Sequence, residues 1–441
     1  MQISYLYFSY NNFDVKGIYI MQKLSTVELK EKQPIWKQQY QEFKTRNLNL
    51  DLTRGKPCPE QLDLALGMLD CVNSKDYLTI DGLDCRNYGG IDGIPEAKTL
   101  FAEYMEVFPA ELIIGGNSSL NMMYDIFIKA MAIGIMPGEK PWGQLPGVKI
   151  LCPSPGYDRH FSICSSLGIQ MILINYTDQG PDMDQVEKLV AKDEMIKGIW
   201  CVPKYSNPTG VTYSDEVVER LAAMPVKAKD FRIFWDNAYA VHHLTNSPSP
   251  LKNILTACKQ AGNAERVLLF GSTSKISFAG AGIAMLAGSE KNIDFIKSQI
   301  SFQSIGPDKL NQLRHVRFFK NMAGINSHMQ KHRAILKPKF DTVQEILVQE
   351  LTGKNIAIWT CPQGGYFISL DTLPGCAGRV IKLAGDAGVK LTPAGSTYPG
   401  KKDSQDKNIR IAPSFASLED IKQAVQLLTL CVQLATLEMI Q

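Results

Sequence analysis

The chain has 441 residues, of which 45% are hydrophobic and 21% charged, as expected for a globular protein with a large core. Its 47 basic and 44 acidic side chains leave a net charge of +3 without a block of five basic residues, which argues against nucleic acid or a membrane surface as partner. Ten cysteines without a C-x-x-C pair indicate reduced thiols in a cytoplasmic protein, and six histidines without an H-E-x-x-H motif predict no metal site.

The first twenty residues are rich in aromatic side chains but lack the basic, apolar and small-residue regions of a signal peptide. We interpret residues 1–20 as an extension, with Met21 as an alternative to Met1 as the start. No apolar run approaches the length of a membrane span, so we expect no transmembrane segment.

A turn at residues 115–119 precedes a helical pattern that starts at Leu120. Free backbone N–H groups and the helix dipole favour an anion at such a start, which makes this turn a candidate phosphate site. Ser118 and Ser119 are the candidate hydroxyl donors. The alternative interpretation is a plain helix cap.

Between residues 148 and 288, short apolar runs alternate with helical patterns, which predicts an α/β fold with a mostly parallel sheet covered by helices. One helix is marked by Ser214 as its N-cap. Strands are predicted at residues 148–153, 169–176, 196–203, 231–235, 266–270 and 282–287, helices over 301–351 and 417–437, and a further strand at 365–370.

Polar residues follow two of these strands. Asp236 ends the strand at 231–235 and precedes Tyr239, and Asn207 lies in a turn after the strand at 196–203. Ligands bind at the carboxyl ends of such strands, so these side chains are candidate ligand contacts. A helix cap at Asp236 and a turn-shaping role for Asn207 are the alternatives.

Lys275 lies in a turn of glycine and hydroxyl residues directly after the strand at 266–270. A lysine held rigidly and partly desolvated has a lowered pKa, which suits a Schiff-base site. Taken alone, the segment is more often typical of a solvated lysine in an ordinary surface turn.

The Asn-Pro-x-Gly turn at 207–210, Asp-x-x-Tyr at 236–239 and Ser-x-x-Lys at 272–275, in this order, resemble the class I and II aminotransferases. These are fold-type I enzymes that depend on pyridoxal 5′-phosphate. Further counterparts of that family lie at Tyr88-Gly89, 115–119, 364–367 and 408–411, and the segments 52–57 and 305–315 are similar to a bacterial subgroup of aspartate aminotransferases.

The resemblance implies two domains. Residues 74–329 would form a large cofactor-binding domain with a mostly parallel sheet, and residues 21–73 and 330–441 would form a smaller α+β domain from both chain ends.

The resemblance also implies roles around the cofactor ring. Lys275 would form an aldimine with the cofactor and then move the substrate's Cα proton. Asp236 would keep the pyridine nitrogen protonated, Asn207 and Tyr239 would bind the phenolate oxygen, and Tyr157 would stack on the ring.

The implied phosphate ligands come from the turn at 115–119 and from the lysine turn. One departure from the family concerns the residue eight positions after the lysine, where many relatives carry an arginine and this chain has Ile283. The phosphate charge must therefore be neutralised differently. The predicted cofactor ligands in these two turns are Asn117, Ser118, Ser119, Ser272 and Ser274.

For the substrate, the resemblance implies that Arg410 binds the α-carboxylate through a two-pronged hydrogen bond, with Asn207 and the backbone of Gly55 beside it. A surface charge is the alternative for Arg410. A second carboxylate would need another cation, for which spacing leaves Arg54, Lys56, Arg159, Lys204, Lys309 and Arg314 as candidates.

Tyr88 would reach the cofactor phosphate of a neighbouring subunit in a homodimer, and the segment 303–307 would also cross that interface. The alternative for a lone tyrosine is a half-buried packing role.

Together these features predict a ping-pong aminotransferase that passes an amino group from an amino acid, aspartate being favoured, to a 2-oxo acid, 2-oxoglutarate being favoured. Small-molecule substrates and no nucleic acid or membrane partner are expected. The alternatives are another fold-type I reaction, such as that of a β-lyase, racemase or decarboxylase, and a non-catalytic effector domain. The last requires a fused DNA-binding domain, for which too few residues precede the segment at 52–55.

Overall fold

A computed structural model of the protein describes residues 26–440. The predicted extension at 1–20 and the alternative start at Met21 lie outside the described residues. The helices are α1 (Thr26–Thr45), α2 (Pro59–Asp63), α3 (Pro95–Met105), α4 (Ser119–Ala132), α5 (Asp158–Ser166), α6 (Met183–Val190), α7 (Asp215–Ala223), α8 (Ile254–Gln260), α9 (Glu290–Ile300), α10 (Lys309–Phe319), α11 (Met322–Leu351), α12 (Ala377–Asp386) and α13 (Leu418–Ile440).

The strands form one large and two small sheets. The strands are β1 (Leu50–Asp51), β2 (Leu112–Ile114), β3 (Lys149–Ser154), β4 (Gln170–Thr177), β5 (Gly180–Pro181), β6 (Ile196–Cys201), β7 (Arg232–Asp236), β8 (Val267–Ser272), β9 (Ala284–Ala287), β10 (Ala357–Trp359), β11 (Ile368–Thr372), β12 (Val389–Lys390) and β13 (Asn408–Ile411).

The large sheet has eight strands in the order β2-β9-β8-β7-β6-β3-β4-β5. Its central strands β8, β7, β6, β3 and β4 are parallel, whereas β9, β2 and β5 pair in the antiparallel sense. The predicted α/β fold with a mostly parallel sheet is therefore confirmed, and each of the six strands predicted between residues 148 and 288 is present.

Burial explains why the central strands are continuous apolar runs. Every residue of β6, β7 and β8 is buried. Side chains alternate between two core clusters along β7. Ile233 and Trp235 belong to one cluster and Phe234 belongs to the other, so both faces of the sheet are covered.

A further apolar cluster joins the two ends of the chain. It combines α1, α11 and α13 with the antiparallel sheet β10-β11-β13, and includes Trp36, Phe340 and Leu428. Tyr205 and Tyr239 from the large-sheet region also belong to it. The division into residues 21–73 with 330–441 and residues 74–329 stays a prediction.

The prediction of helices over residues 301–351 was wrong at its start. Helix α9 ends at Ile300 and α10 begins only at Lys309, after Asp308, whose Oδ1 accepts a hydrogen bond from Asn311 N at 3.0 Å. Gly306 has a φ of 149°, a left-handed value that favours glycine and interrupts a helix.

Helix α13 corrects the expectation that no apolar segment reaches membrane-spanning length. By length and composition alone, the helix Leu418–Ile440 is long and apolar enough to cross a membrane. However, 72% of its most apolar stretch is buried inside the fold. The helix packs on α1, α11 and α12, which is the environment of a core helix.

Candidate active site

The ends of neighbouring parallel strands bring the predicted site residues together. Strand β7 ends at Asp236, which pairs in register with Phe270 of β8, and Asn237 N donates to Phe270 O at 2.9 Å. The chain leaving β8 forms a turn in which Ile276 N donates to Thr273 O at 2.8 Å. Lys275 is thereby placed at the same edge of the sheet as Asp236, as the sequence predicts.

Asp236 is a buried carboxylate with two different oxygens. Its Oδ2 lies 3.0 Å from His160 Nε2, which must carry the proton because the carboxylate accepts. Its Oδ1 is buried and has no hydrogen-bond partner within residues 26–440. A buried acceptor without a donor is costly, so this oxygen fits a protonated ring nitrogen of a bound group.

His160 was missed in the sequence analysis. It lies in the first turn of α5, and its ring stacks on Trp200 at 4.1 Å with an interplanar angle of 5°. The available signal was its position three residues after Tyr157, which places both side chains at the start of one helix.

Lys275 is half-buried, and its Nζ lies 5.1 Å from the centroid of the Tyr239 ring. Burial lowers the pKa of this amine, while the negative charge of Asp236 acts in the opposite direction. A lowered pKa increases the neutral fraction of the amine, and the neutral form is both nucleophile and base.

Three buried histidines surround the lysine turn, and the sequence analysis missed all of them. His242 Nε2 lies 3.3 Å from Lys275 O, and His328 Nε2 lies 2.8 Å from Ile276 O. His315 donates from Nδ1 to Asn311 O at 2.8 Å, so its Nε2 accepts from Ser277 Oγ, also at 2.8 Å. Burial lowers the pKa of each imidazole, that of His315 to about 4.

Two tyrosines predicted to contact the cofactor ring, Tyr157 and Tyr239, lie near Asp236 and Lys275. Tyr157 meets His160 edge to face at 5.0 Å, and Tyr239 is buried. Burial raises the pKa of both phenols, and the charge of Asp236 adds to the effect. Both hydroxyls are therefore neutral hydrogen-bonding groups.

The predicted phosphate residues lie close together at the start of α4. Gly115 N donates to Ala284 O at 2.8 Å, which fixes the turn beside Ser272, the strand partner of Ala284. Ser274 Oγ donates to Asn117 O at 3.3 Å. Ser118 is the N-cap but makes no side-chain cap bond within residues 26–440, and Ser119 is the first residue of the helix.

Ile283 contributes no charge to this turn. Its side chain is 1% exposed and belongs to a core cluster, and its backbone N donates to Thr273 Oγ1 at 2.8 Å. The structure thus accounts for the apolar residue at this position.

Arg410 lies on β13 and is 8% exposed. Its Nη1 is 3.3 Å from Asn207 Oδ1 and 3.5 Å from Asp158 Oδ1. Its Nη2 donates to Thr53 O at 3.3 Å and to Thr392 Oγ1 at 3.2 Å. The alternative of an exposed surface charge is wrong, because the guanidinium is buried next to Asn207.

Gly55 lies so close to the Phe367 ring that a side chain would not fit at this position. A Cβ at this position would lie 2.4 Å from Phe367 Cζ, and the Phe367 ring centroid is 4.8 Å from Arg410 Cζ. Gly55 therefore lets the ring pack against the guanidinium. Its predicted contact with a substrate carboxylate stays a prediction.

Tyr88 does not join this site within one chain. Its side chain is 79% exposed. Lys309 Nζ donates a hydrogen bond to O of the adjacent Gly89 at 2.8 Å. Of the other cations considered for a second carboxylate, Lys56 lies 3.9 Å from the Phe415 ring centroid.

A family model described as aspartate amino-transferase matches residues 24–441. A protein of Mycolicibacterium smegmatis named as an aminotransferase is 49% identical over 95% of this chain and 98% of its own length. The aspartate aminotransferase of Corynebacterium glutamicum is 45% identical over 91% of this chain and 93% of its own length.

A solved structure agrees with these sequence matches. The crystal structure of an aspartate transaminase from Corynebacterium glutamicum superposes with a TM-score of 0.92 and 43% identity, and the match covers 95% of this chain and 98% of that one.

The buried histidines generate a prediction about acid stability. His315 has a pKa of about 4 in the folded state and about 6.5 when unfolded, so the unfolded chain binds more protons between these values. Stability therefore falls as pH drops from about 6.5 towards 4. Between pH 7 and 5 we expect this histidine to account for a loss of about 2 kcal/mol.

Urea unfolding at both pH values checks this prediction. The His315→Gln variant should lose less stability than the wild type over the same interval, whatever its absolute stability. An identical loss in both proteins would contradict the assignment.

Proposed function

The chain belongs to the aspartate aminotransferase family, and on that premise we propose that it transfers the amino group of aspartate to 2-oxoglutarate with pyridoxal 5′-phosphate as cofactor. Membership makes the protein an aminotransferase of the fold-type I class and favours transamination over the β-lyase, racemase and decarboxylase alternatives. Aspartate is proposed because the Corynebacterium glutamicum relative carries that name.

The unpartnered Oδ1 of Asp236 is the observation that carries the cofactor proposal. When bound, pyridoxal 5′-phosphate supplies an aldehyde that condenses with amines and a ring that accepts electrons from the substrate's Cα. Asp236 would hold a proton on the ring nitrogen, since His160 orients its other oxygen. Asn207 and Tyr239 would donate to the phenolic oxygen, and Tyr157 would cover the ring.

Lys275 would act twice. Its desolvated amine would hold the cofactor, and the same amine, once free, would take the substrate's Cα proton and deliver it to the carbon that carried the cofactor's aldehyde. Its turn is held by His242 and His328 through the carbonyls of Lys275 and Ile276, so the amine is delivered from a fixed backbone.

The start of α4 would bind the cofactor phosphate. Backbone N–H groups and the helix dipole favour a dianion there, and hydroxyls surround the position. The proposed ligands are Asn117, Ser118, Ser119, Ser272 and Ser274.

Arg410 would bind the substrate's α-carboxylate. The guanidinium is buried, stacked on Phe367 and oriented by Asn207, so its fork is held in one geometry before the substrate arrives. Gly55 lies against the tip of the Phe367 ring, because a Cβ there would be 2.4 Å from Phe367 Cζ.

We further propose a homodimer in the cytoplasm, with residues 21–73 and 330–441 forming the smaller domain. Large apolar side chains are exposed on adjoining segments: Tyr88 by 79%, Phe302 by 83% and Ile305 by 64%. A Cβ on Gly306 would lie 2.7 Å from Gly89 O, so the two segments form one surface. Exposed apolar surface of this kind is typical of a protein interface.

Replacing the lysine tests the catalytic proposal. Lys275→Ala should abolish borohydride-reducible attachment of the cofactor and reduce transamination by roughly 10²–10⁴-fold or more, because nucleophile and proton carrier are lost together. The protein should stay folded by circular dichroism, and the exposed Lys229→Ala variant should behave as the wild type. A reducible attachment that persists in Lys275→Ala would refute the assignment.

Mixed subunits test the shared site. Tyr88→Ala and Lys275→Ala proteins should each be nearly inactive, and heterodimers of the two should regain part of the activity, because one of their two sites combines both intact residues. Activity is measured on heterodimers isolated through two different affinity tags. Heterodimers without activity would rule out a contribution of Tyr88 to the partner's site.

A further inference from the structure

The guanidinium of Arg410 is already fully engaged on its outer nitrogens. Nη1 faces Asn207 Oδ1 and Asp158 Oδ1, and Nη2 faces Thr53 O and Thr392 Oγ1. Nε is buried and lacks a partner among the described residues. A substrate carboxylate that binds through the two outer nitrogens therefore has to replace one of these acceptors.

Asp158 is the acceptor that can be replaced most readily. Its side chain is 33% exposed, whereas that of Arg410 is 8% exposed. Its contact of 3.5 Å is the longest of the four, the others being 3.2–3.3 Å. The other acceptors are a main-chain carbonyl and two neutral side chains of the surrounding wall, Asn207 and Thr392, both buried.

The charges favour the same exchange. In residues 26–440, Asp158 is the one acidic side chain in ion-pair range of Arg410, so it neutralises a buried cation when no substrate is present. An incoming carboxylate can take over that neutralisation without changing the net charge around the guanidinium. If Asp158 stays close, two anions share one cation and repel each other.

The position of Asp158 allows it to leave. It is the first residue of α5, and Gly156 N, two residues earlier, donates to Thr397 O at 2.7 Å. The backbone is thus held on both sides, and only the half-exposed side chain has to rotate towards solvent.

We propose that Asp158 is an internal competitor for the carboxylate-binding arginine, and that it sets the affinity of the site for amino acids and 2-oxo acids alike. The inference rests on the proposed role of Arg410. A ping-pong aminotransferase must release a carboxylate product from this arginine in each half-reaction, and an internal carboxylate that returns to Arg410 assists both releases.

The test compares Asp158→Asn with the wild-type holoenzyme at low ionic strength. Asparagine keeps the size of the side chain and removes the competing charge. We expect the KM for aspartate and for 2-oxoglutarate to fall together by roughly 3–10-fold, with a smaller change in kcat, as for a change in uniform binding. The dissociation constant of maleate, an unreactive dicarboxylate, should fall by a similar factor.

Two further variants make the result decisive. Asp294→Asn makes the same charge change at an exposed position of α9 and should leave maleate binding unchanged; equal tightening there would overturn the proposal. Arg410→Gln should weaken maleate binding strongly. If it does so while Asp158→Asn binds maleate no more tightly than the wild type, the competitor proposal fails alone. If Arg410→Gln binds maleate normally, the proposed role of Arg410 fails first.

Discussion

The site depends on one buried carboxylate, that of Asp236, one oxygen of which has no hydrogen-bond donor among the described residues. Asp236 closes a strand that is buried along its whole length, and its two oxygens have different fates, one bound by His160 and the other without a donor in the described part of the chain. The aromatic stack of His160 on Trp200, itself stacked on Phe127 at 4.8 Å, fixes the orientation of the carboxylate. Such a group destabilises the free protein unless a bound donor completes it.

The same burial sets the charge state of the neighbouring groups. It lowers the pKa of Lys275 and of His242, and it raises the pKa of Tyr157 and Tyr239. Neutral imidazoles and phenols therefore surround Asp236 and Lys275, the two residues on which the proposed chemistry depends. Because Asp236, Tyr239 and His242 are buried, these groups act on the reacting atoms at low local dielectric.

The sequence was sufficient for the features that depend on strand order. Asp236 and Lys275 follow buried strands whose ends must meet at one sheet edge, so their proximity was predictable. His160 and the histidines around the lysine turn, such as His315, were not, because their partners are set by packing between distant elements. The break at residues 301–308 was missed since helical periodicity outweighed the signal of Gly306, and the exposed face of Tyr88 gives no contact by which one chain could test its role.

The protonation state of the cofactor ring nitrogen tests the central claim most directly. With pyridoxal 5′-phosphate labelled with ¹⁵N in the ring, the nitrogen chemical shift of the holoenzyme reports whether the ring is protonated. The account predicts a protonated nitrogen in the wild type near neutral pH and an unprotonated one in Asp236→Ala. An unprotonated nitrogen in the wild type, or the same shift in both proteins, would contradict it.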